Sequence, residues 1–227
     1  FEYSTEEGKF EVYRLNTKPK SYQDFQNNKI SLNGVIHVGA HRGEEIFYYE
    51  KLGAKKIIWV EPNPDVFKEM KVFLTEASAC VESTAFEYAV SNVDHEEVNF
   101  HLYYGPDAGW LVGNKGCSSL LKAKGRFESW HKKTIKVETI TIDTLIEENG
   151  YAISDFQLLN LDVQGAELLA LEGASKVLDN IKYISTEATW NNPDYIDNVM
   201  YDELKSFLES KGYIEQEIIN HGPDWGD

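Results

Sequence analysis

From Gly34 onward this chain switches repeatedly between two hydrophobic patterns, and that switching leaves few folds open to it. The run "GVIHVGA" is short, apolar and ends in glycine, as a strand buried on both faces does. "GEEIFYYEKLGA" follows, with Ile46, Tyr49 and Leu52 at helical spacing and Gly53 as its stop. "KKIIWVEP" is a second apolar run, ended by Pro62. In "NPDVFKEMKVFL", Asn63 is a natural N-cap and Pro64 suits the first helical position. Phe67, Met70 and Leu74 then make one apolar stripe. Strands alternating with helices in this way predict a mainly parallel central sheet with helices on both faces.

The alternation continues to the far end of the chain. "TAFEYAVS" reads as a third strand, "FQLLNLDV" and "IKYISTEAT" as further buried ones, and "YIEQEII" as a late strand. "IDTLIEENG" reads as a short helix. "GAELLALEGASKVL" reads as a single helix with Leu168, Leu171 and Leu178 inward, and another helix lies around 197–211, closed by Gly212. Residues of about 95–140 break the pattern as a β-rich insertion. There "EVNFHLYY" and "TIKVETITI" flank a loop rich in Gly, Ser and Lys. Residues 1–33 are polar with scattered aromatics and are expected to form an N-terminal extension, partly a short helix, on the domain edge. With no linker and no repeat, residues 34–227 read as one domain.

Composition narrows the partners. Hydrophobic residues make up 42% of the chain, enough for a packed core. Against 22 Lys and Arg stand 38 Asp and Glu, a formal net charge of −16. Such a field repels phosphate backbones and anionic lipid, so nucleic acid and membranes are not expected partners, whereas a cationic cofactor is compatible with it. No run of 18 apolar residues exists to span a membrane. Two scattered cysteines, Cys80 and Cys117, make neither a disulfide framework nor a metal cluster, and a cytoplasmic, reduced setting is expected. The opening "FEYSTEEGKF" has no initiator Met and no signal-peptide core, which fits a domain of a larger protein.

The chemistry is expected beyond the carboxyl ends of the strands, next to the first strand. Gly39 and Gly43 sit in the turn after that strand, and Gly39, lacking a Cβ, lets a cofactor approach the backbone. Glu61 ends the next strand at a spacing where a carboxylate grips ribose hydroxyls. The competing explanation is that both glycines serve strand–helix packing and Glu61 is a solvated helix-start acid. A third glycine in Gly-x-Gly-x-x-G spacing, which a pyrophosphate wants, is missing, so S-adenosylmethionine suits the turn better than a nicotinamide dinucleotide.

In order, "VIHVGAHRGEE", "WVEPNPDVFKEM", "VETITIDTL" and "LLNLDVQGAELLALEGA" resemble the FkbM family of methyltransferases, over roughly Val35 to Thr189. The resemblance implies a Rossmann-like class I methyltransferase fold. It also implies S-adenosyl-L-methionine as donor and O-methylation of a hydroxyl on a small molecule, usually a sugar or polyketide. By that likeness His37, Gly39, Ala40, His41 and Gly43 line the methionine portion. Glu61 holds the ribose, with Pro62 and Asn63 beside it, and Ala89 and Val90 border the adenine. The double serine, Ser118 and Ser119, resembles a feature of some members and joins the cofactor set. The chain departs from the pattern at His37 and His41, where Asp and Asn are usual, and at Gln164, where the signature has Glu. Relatives also add a final strand after the point where this chain reads "HGPDWGD".

An alkyl hydroxyl is a poor nucleophile near neutral pH, so a general base or a divalent metal is expected. Asp162, closing the fourth strand, is the first candidate for base or metal ligand, the alternative being a plain helix N-cap. Glu187, ending the fifth strand, is the second carboxylate on that edge, as acceptor contact or metal partner. His131, next to Trp130, is a candidate base or sugar contact, or else a surface histidine. Glu167 reads as a first-turn acid facing the helix dipole. "HKKTIK" would meet an anionic group on the substrate, such as a nucleotide-linked sugar, or lie solvated. Two other readings stay open: a nicotinamide oxidoreductase on the same fold, and a cofactor-binding module without activity.

Overall fold

The computed structural model describes residues 11–15, 32–77, 80–105, 115–191 and 193–218. Its frame is a seven-stranded sheet. In chain order the strands are β1 (Glu11–Leu15), β2 (Gly34–Val38), β3 (Lys56–Val60), β4 (Glu82–Phe86), β8 (Leu158–Leu161), β9 (Tyr183–Thr186) and β10 (Tyr213–Ile218). Across the sheet the order is β10-β1-β9-β8-β2-β3-β4. The five strands from β4 to β9 are all parallel, whereas β1 runs antiparallel to both of its neighbours. A separate three-stranded sheet holds β5 (Ala89–Val90), β7 (His131–Ile140) and β6 (Glu97–Tyr103) in that order.

The pleat sends alternate residues to opposite faces, and both faces are covered. Ile36, Val38, Leu159 and Leu161 pack with α3 (Ile142–Glu148), α4 (Glu167–Glu172), α5 (Ser175–Leu178) and α6 (Tyr201–Ser210). Val35, Ile57, Trp59 and Leu158 pack with α1 (Ile46–Lys51) and α2 (Pro64–Ala77) on the other face. The α2 start follows its sequence signals: Asn63 Oδ1 accepts from the Asp65 N–H at 3.2 Å, and Val66, Phe67, Met70 and Leu74 are buried. No helix among the described residues is long and apolar enough to cross a membrane.

Three expectations need correction. The third strand is shorter than "TAFEYAVS" suggests: β4 ends at Phe86, and Ala89–Val90 leaves the main sheet to pair with Thr139 and Ile140. The stretch "GAELLALEGASKVL" is two short helices, α4 and α5. Gly173 divides them where the chain touches the β5 exit, and a Cβ there would lie 2.2 Å from the Ser91 carbonyl oxygen. Third, the N-terminal stretch holds no helix at Glu11–Leu15 but a strand inside the sheet, between β9 and β10. The rest of residues 1–31 and the loop tip at 106–114 lie outside the described residues.

An inserted β1 makes a backbone prediction. Proline at Tyr13, paired with Ile184 on one side and Glu215 on the other, removes an N–H from an interior strand. Tyr13→Pro is expected to cost on the order of 2 kcal/mol or more in urea unfolding. Amide exchange should speed up in Tyr183–Thr186 relative to Tyr13→Thr, which keeps the backbone N–H. Equal exchange in the two variants would contradict the placement of β1.

Candidate functional site

Because β2, β3, β8 and β9 are parallel, their carboxyl ends meet along one edge. The loops leaving them are tied together by backbone bonds. Gly39 N and Ala40 N both donate to the Val60 carbonyl, at 2.9 and 3.0 Å, and Asp162 N donates to that of Val38 at 3.0 Å. Gly39 has φ +75°, and a Cβ on it would lie 1.7 Å from the Asp162 carbonyl oxygen. The glycine is thus required by the neighbouring loop, not only by a ligand. Gly43, at φ +76°, has Leu74 and Met70 where its Cβ would be, so it serves packing on α2.

Glu61 anchors the first half of the site. It is 7% exposed and its two oxygens accept from backbone N–H groups, Oε2 from His41 at 3.0 Å and Oε1 from Asn63 at 2.8 Å. Burial pushes its carboxyl up to about 7, against the pull of those two bonds. His41 sits at φ 46° and its Nδ1 lies 3.2 Å from Glu44 Oε1. Burial works against its protonation, but the Glu44 and Glu61 carboxylates outweigh it and raise its pKa. Glu45 is likewise pushed up to about 7, by burial and the charge of Glu44. Three buried polar atoms around this loop have no hydrogen-bond partner among the described residues: His41 Nε2, Glu45 Oε2 and Asn63 Nδ2. Such orphaned groups are costly unless a ligand or water satisfies them. Pro62 is partly exposed between Glu61 and Asn63.

The second half holds the two predicted carboxylates together. Gln164 Nε2 donates to Asp162 Oδ1 at 2.5 Å and to Glu187 Oε2 at 3.0 Å. Burial raises the proton affinity of both acids. That of Glu187 rises furthest, because the charges of Asp162 and Glu167 add to burial and the two acids hydrogen-bond each other. In this pair Glu187 holds a proton more readily than Asp162, because the neighbouring negative charges fall on it as well as burial. Gln164 is held at φ 56°, with its carbonyl accepting from Ser119 Oγ at 2.9 Å and its Oε1 from Tyr195 Oη at 3.3 Å. Beside the pair is a small cavity lined by Gln164, Glu187, Thr189, Asp194, Tyr195 and Asn198. Tyr195 and Asn198 carry no signal in the sequence, where Gln164 reads only as a lost charge.

Other expected residues lie elsewhere. His37 is 2% exposed and makes its bonds inside the sheet–helix core, Nε2 to Asn160 Nδ2 at 2.9 Å and Nδ1 to Tyr49 Oη at 3.2 Å. Burial lowers it to about 3, so it is neutral. Ala89 and Val90 are buried in β5. Ser118 and Ser119 spend their hydroxyls on the protein, Ser118 on the Lys115 carbonyl at 3.0 Å and Ser119 on Gln164. His131 is not beside Asp162 and Glu187 but lines a separate cleft on the β6–β7 hairpin. Among the described residues no three His, Cys, Asp or Glu side chains are grouped to hold a metal ion.

Compared with known families, the chain matches the methyltransferase FkbM domain over residues 37–215, the greater part of its length. No curated protein matches it.

The Glu167 carboxylate gives this edge a pH signature. It is 2% exposed, and its Oε1 accepts from Val163 N at 3.2 Å and Gly165 N at 3.1 Å, fixing the loop that carries Gln164. Burial raises it from 4.5 to about 7. A raised carboxyl stabilises the fold fully below pH 4.5, and that contribution is lost as pH rises through 7. Glu167→Gln keeps the accepting oxygen and cannot ionise. Between pH 5 and 8 the wild type should lose on the order of 2 kcal/mol more stability than the variant. Parallel pH profiles would exclude this role.

Proposed function

The chain belongs to the FkbM methyltransferase family, and from that premise we propose that it moves a methyl group from S-adenosylmethionine to a hydroxyl of a small, polyhydroxylated acceptor, a sugar or glycan. The observation that carries this reading is the Asp162–Glu187 pair, bridged by Gln164 next to the loop that joins Gly39 to Glu61. S-adenosylmethionine, when bound, supplies an electrophilic methyl on a positively charged sulfur.

The residues present fit such a donor. Each Glu61 oxygen takes one backbone N–H and keeps lone pairs for ribose hydroxyls. Asn63 Nδ2 is a buried donor without an acceptor among the described residues, and His41 Nε2 is a buried ring nitrogen likewise without a partner there. Glu45, Glu61, Asp162, Glu167 and Glu187 together make a field in which a cation is favoured.

For the acceptor, the cavity beside the pair offers amide, hydroxyl and carboxylate groups in alternation, which suits hydroxyls that both donate and accept. Asp162 takes the proton from the reacting hydroxyl, while Glu187, already protonated, donates to Asp162 and keeps the pair from carrying two charges. Gln164 holds both carboxylates in place. Positioning the reacting oxygen supplies much of the remaining acceleration.

The test is calorimetric titration with S-adenosylhomocysteine, followed by methyl transfer to a panel of glycans. Asp162→Asn should keep S-adenosylhomocysteine binding and lose transfer by about 10²–10⁴-fold. Unchanged turnover in that variant removes Asp162 from the mechanism. Binding by the wild type without turnover on any acceptor leaves a binding module, and no binding at all ends the proposal.

A further inference from the structure

A second cleft, of about 340 Å³, opens on the β-rich insertion and shares no lining residue with the cavity beside the carboxylate pair. Its floor is one face of the β6–β7 hairpin, where His101 pairs with Thr134 and Tyr103 with His131. Thr134 Oγ1 lies 2.9 Å from His101 Nδ1 and 3.2 Å from His131 Nε2. One hydroxyl therefore lies between both rings and ties them together. Among the described residues, neither His101 Nε2 nor His131 Nδ1 has a hydrogen-bond partner, and Lys122 has no ion pair. Tyr103 Oη accepts from the Ala123 N–H at 2.7 Å and so holds the Lys122–Ala123 segment over the hairpin.

The polar groups lining this cleft are two imidazoles, an ammonium and two hydroxyls, with Glu128 as the single carboxylate among them. Lys132 and Lys133 adjoin His131 on β7, and Lys124 follows Ala123. Burial, His131 and Lys122 all disfavour a proton on His101, and no acid offsets them. In a chain with a net charge of −16, a cleft with an ammonium, two histidines and a single carboxylate, beside three further lysines, fits an anion.

We propose that this cleft binds a phosphoryl group, carried by the acceptor as a sugar phosphate or a nucleotide-linked sugar. That the group belongs to the acceptor rests on the methyl-transfer reading above. The wall between the two sites is thin. Tyr103 meets Tyr195 edge to face at 6.2 Å, and Tyr195 Oη reaches Gln164. An acceptor anchored by its phosphoryl group on His101, His131 and Lys122 lies two rings from the bridge between Asp162 and Glu187. Binding of the anion favours a proton on His101, against the burial and neighbouring cations that disfavour it, so affinity rises as pH falls.

Calorimetry on the full chain decides this, with inorganic phosphate, glucose 1-phosphate, UDP-glucose and glucose as probes at pH 6 and pH 8. The phosphorylated probes should bind at least roughly tenfold more tightly than glucose, and more tightly at pH 6 than at pH 8 with proton uptake. The exposed-site variants Lys122→Gln and His131→Asn should each weaken them about tenfold while leaving S-adenosylhomocysteine affinity unchanged. Glucose binding as well as its phosphate, or unaltered affinity in the double variant, overturns the proposal. Inorganic phosphate binding as tightly as both esters overturns the assignment to the acceptor. Phosphate binding without S-adenosylhomocysteine binding defeats only the methyl-transfer reading, and the converse defeats only this one.

Discussion

The site depends on one close contact, the approach of Gly39 to the Asp162 carbonyl. In a parallel sheet the loops after neighbouring strands usually part to leave a crevice. Here the β2 and β8 loops touch, because residue 39 has no side chain to keep them apart. The contact is fixed from both sides, by Asp162 N on the Val38 carbonyl and by Gly39 N and Ala40 N on that of Val60. It brings the Glu61–His41 loop and the Asp162–Gln164–Glu187 bridge onto one edge. The two non-glycine residues with positive φ at this edge, His41 and Gln164, lie one in each loop. Backbone strain of about 1 kcal/mol or more at each is held by surrounding bonds, as is common at functional sites.

The same contact sets the electrostatics. Asp162 raises the proton affinity of Glu45, Glu61, Glu167 and Glu187 through its charge, so it is the hub of a carboxylate cluster. Five acids on one partly buried edge cannot all ionise at neutral pH, and the unfavourable interactions are relieved either by protons or by a cation. A ligand with a positive centre would exchange for bound protons, which couples its affinity to pH. The negative charge of the chain as a whole is of less consequence, since most of it is solvated and screened beyond about 8–10 Å.

Most of the frame was legible because each strand–helix unit carries its own punctuation: Gly53 after α1, Asn63–Pro64 before α2, Gly212 after α6. Glu61, Asp162 and Glu187 were legible as strand-end carboxylates. What was not legible depends on contacts distant in sequence. The split between α4 and α5 follows from the Ser91 carbonyl meeting Gly173, 82 positions away in the chain, and no periodicity records that. Nor does any local pattern show that β1 enters the sheet between β9 and β10. There it lies antiparallel to both. Ser119 read as a ligand because its tie to the Gln164 carbonyl spans two loops. His131 read as a base because the sequence does not tell which face of the hairpin it takes.

The two departures at 37 and 164 are best understood together. Each puts a neutral hydrogen-bonding side chain where the family pattern has an acid, and each lies beside acids that remain. His37 Nδ1 is 3.8 Å from Glu45 Oε2, and burial keeps the ring uncharged. With Asn160 Nδ2 donating to its Nε2, the ring carries its proton on Nδ1 and donates it to Tyr49, so neutrality is built into the core. A carboxylate at 37 would add a further buried charge to the edge that Glu45 already strains. Gln164 does the same for the other half: its amide donates to Asp162 and Glu187, whereas a glutamate would set a third carboxylate against them. Neither change therefore removes a group that the carboxylate pair needs. Both lower the charge around Asp162, and a carboxyl surrounded by fewer anions holds its proton less tightly.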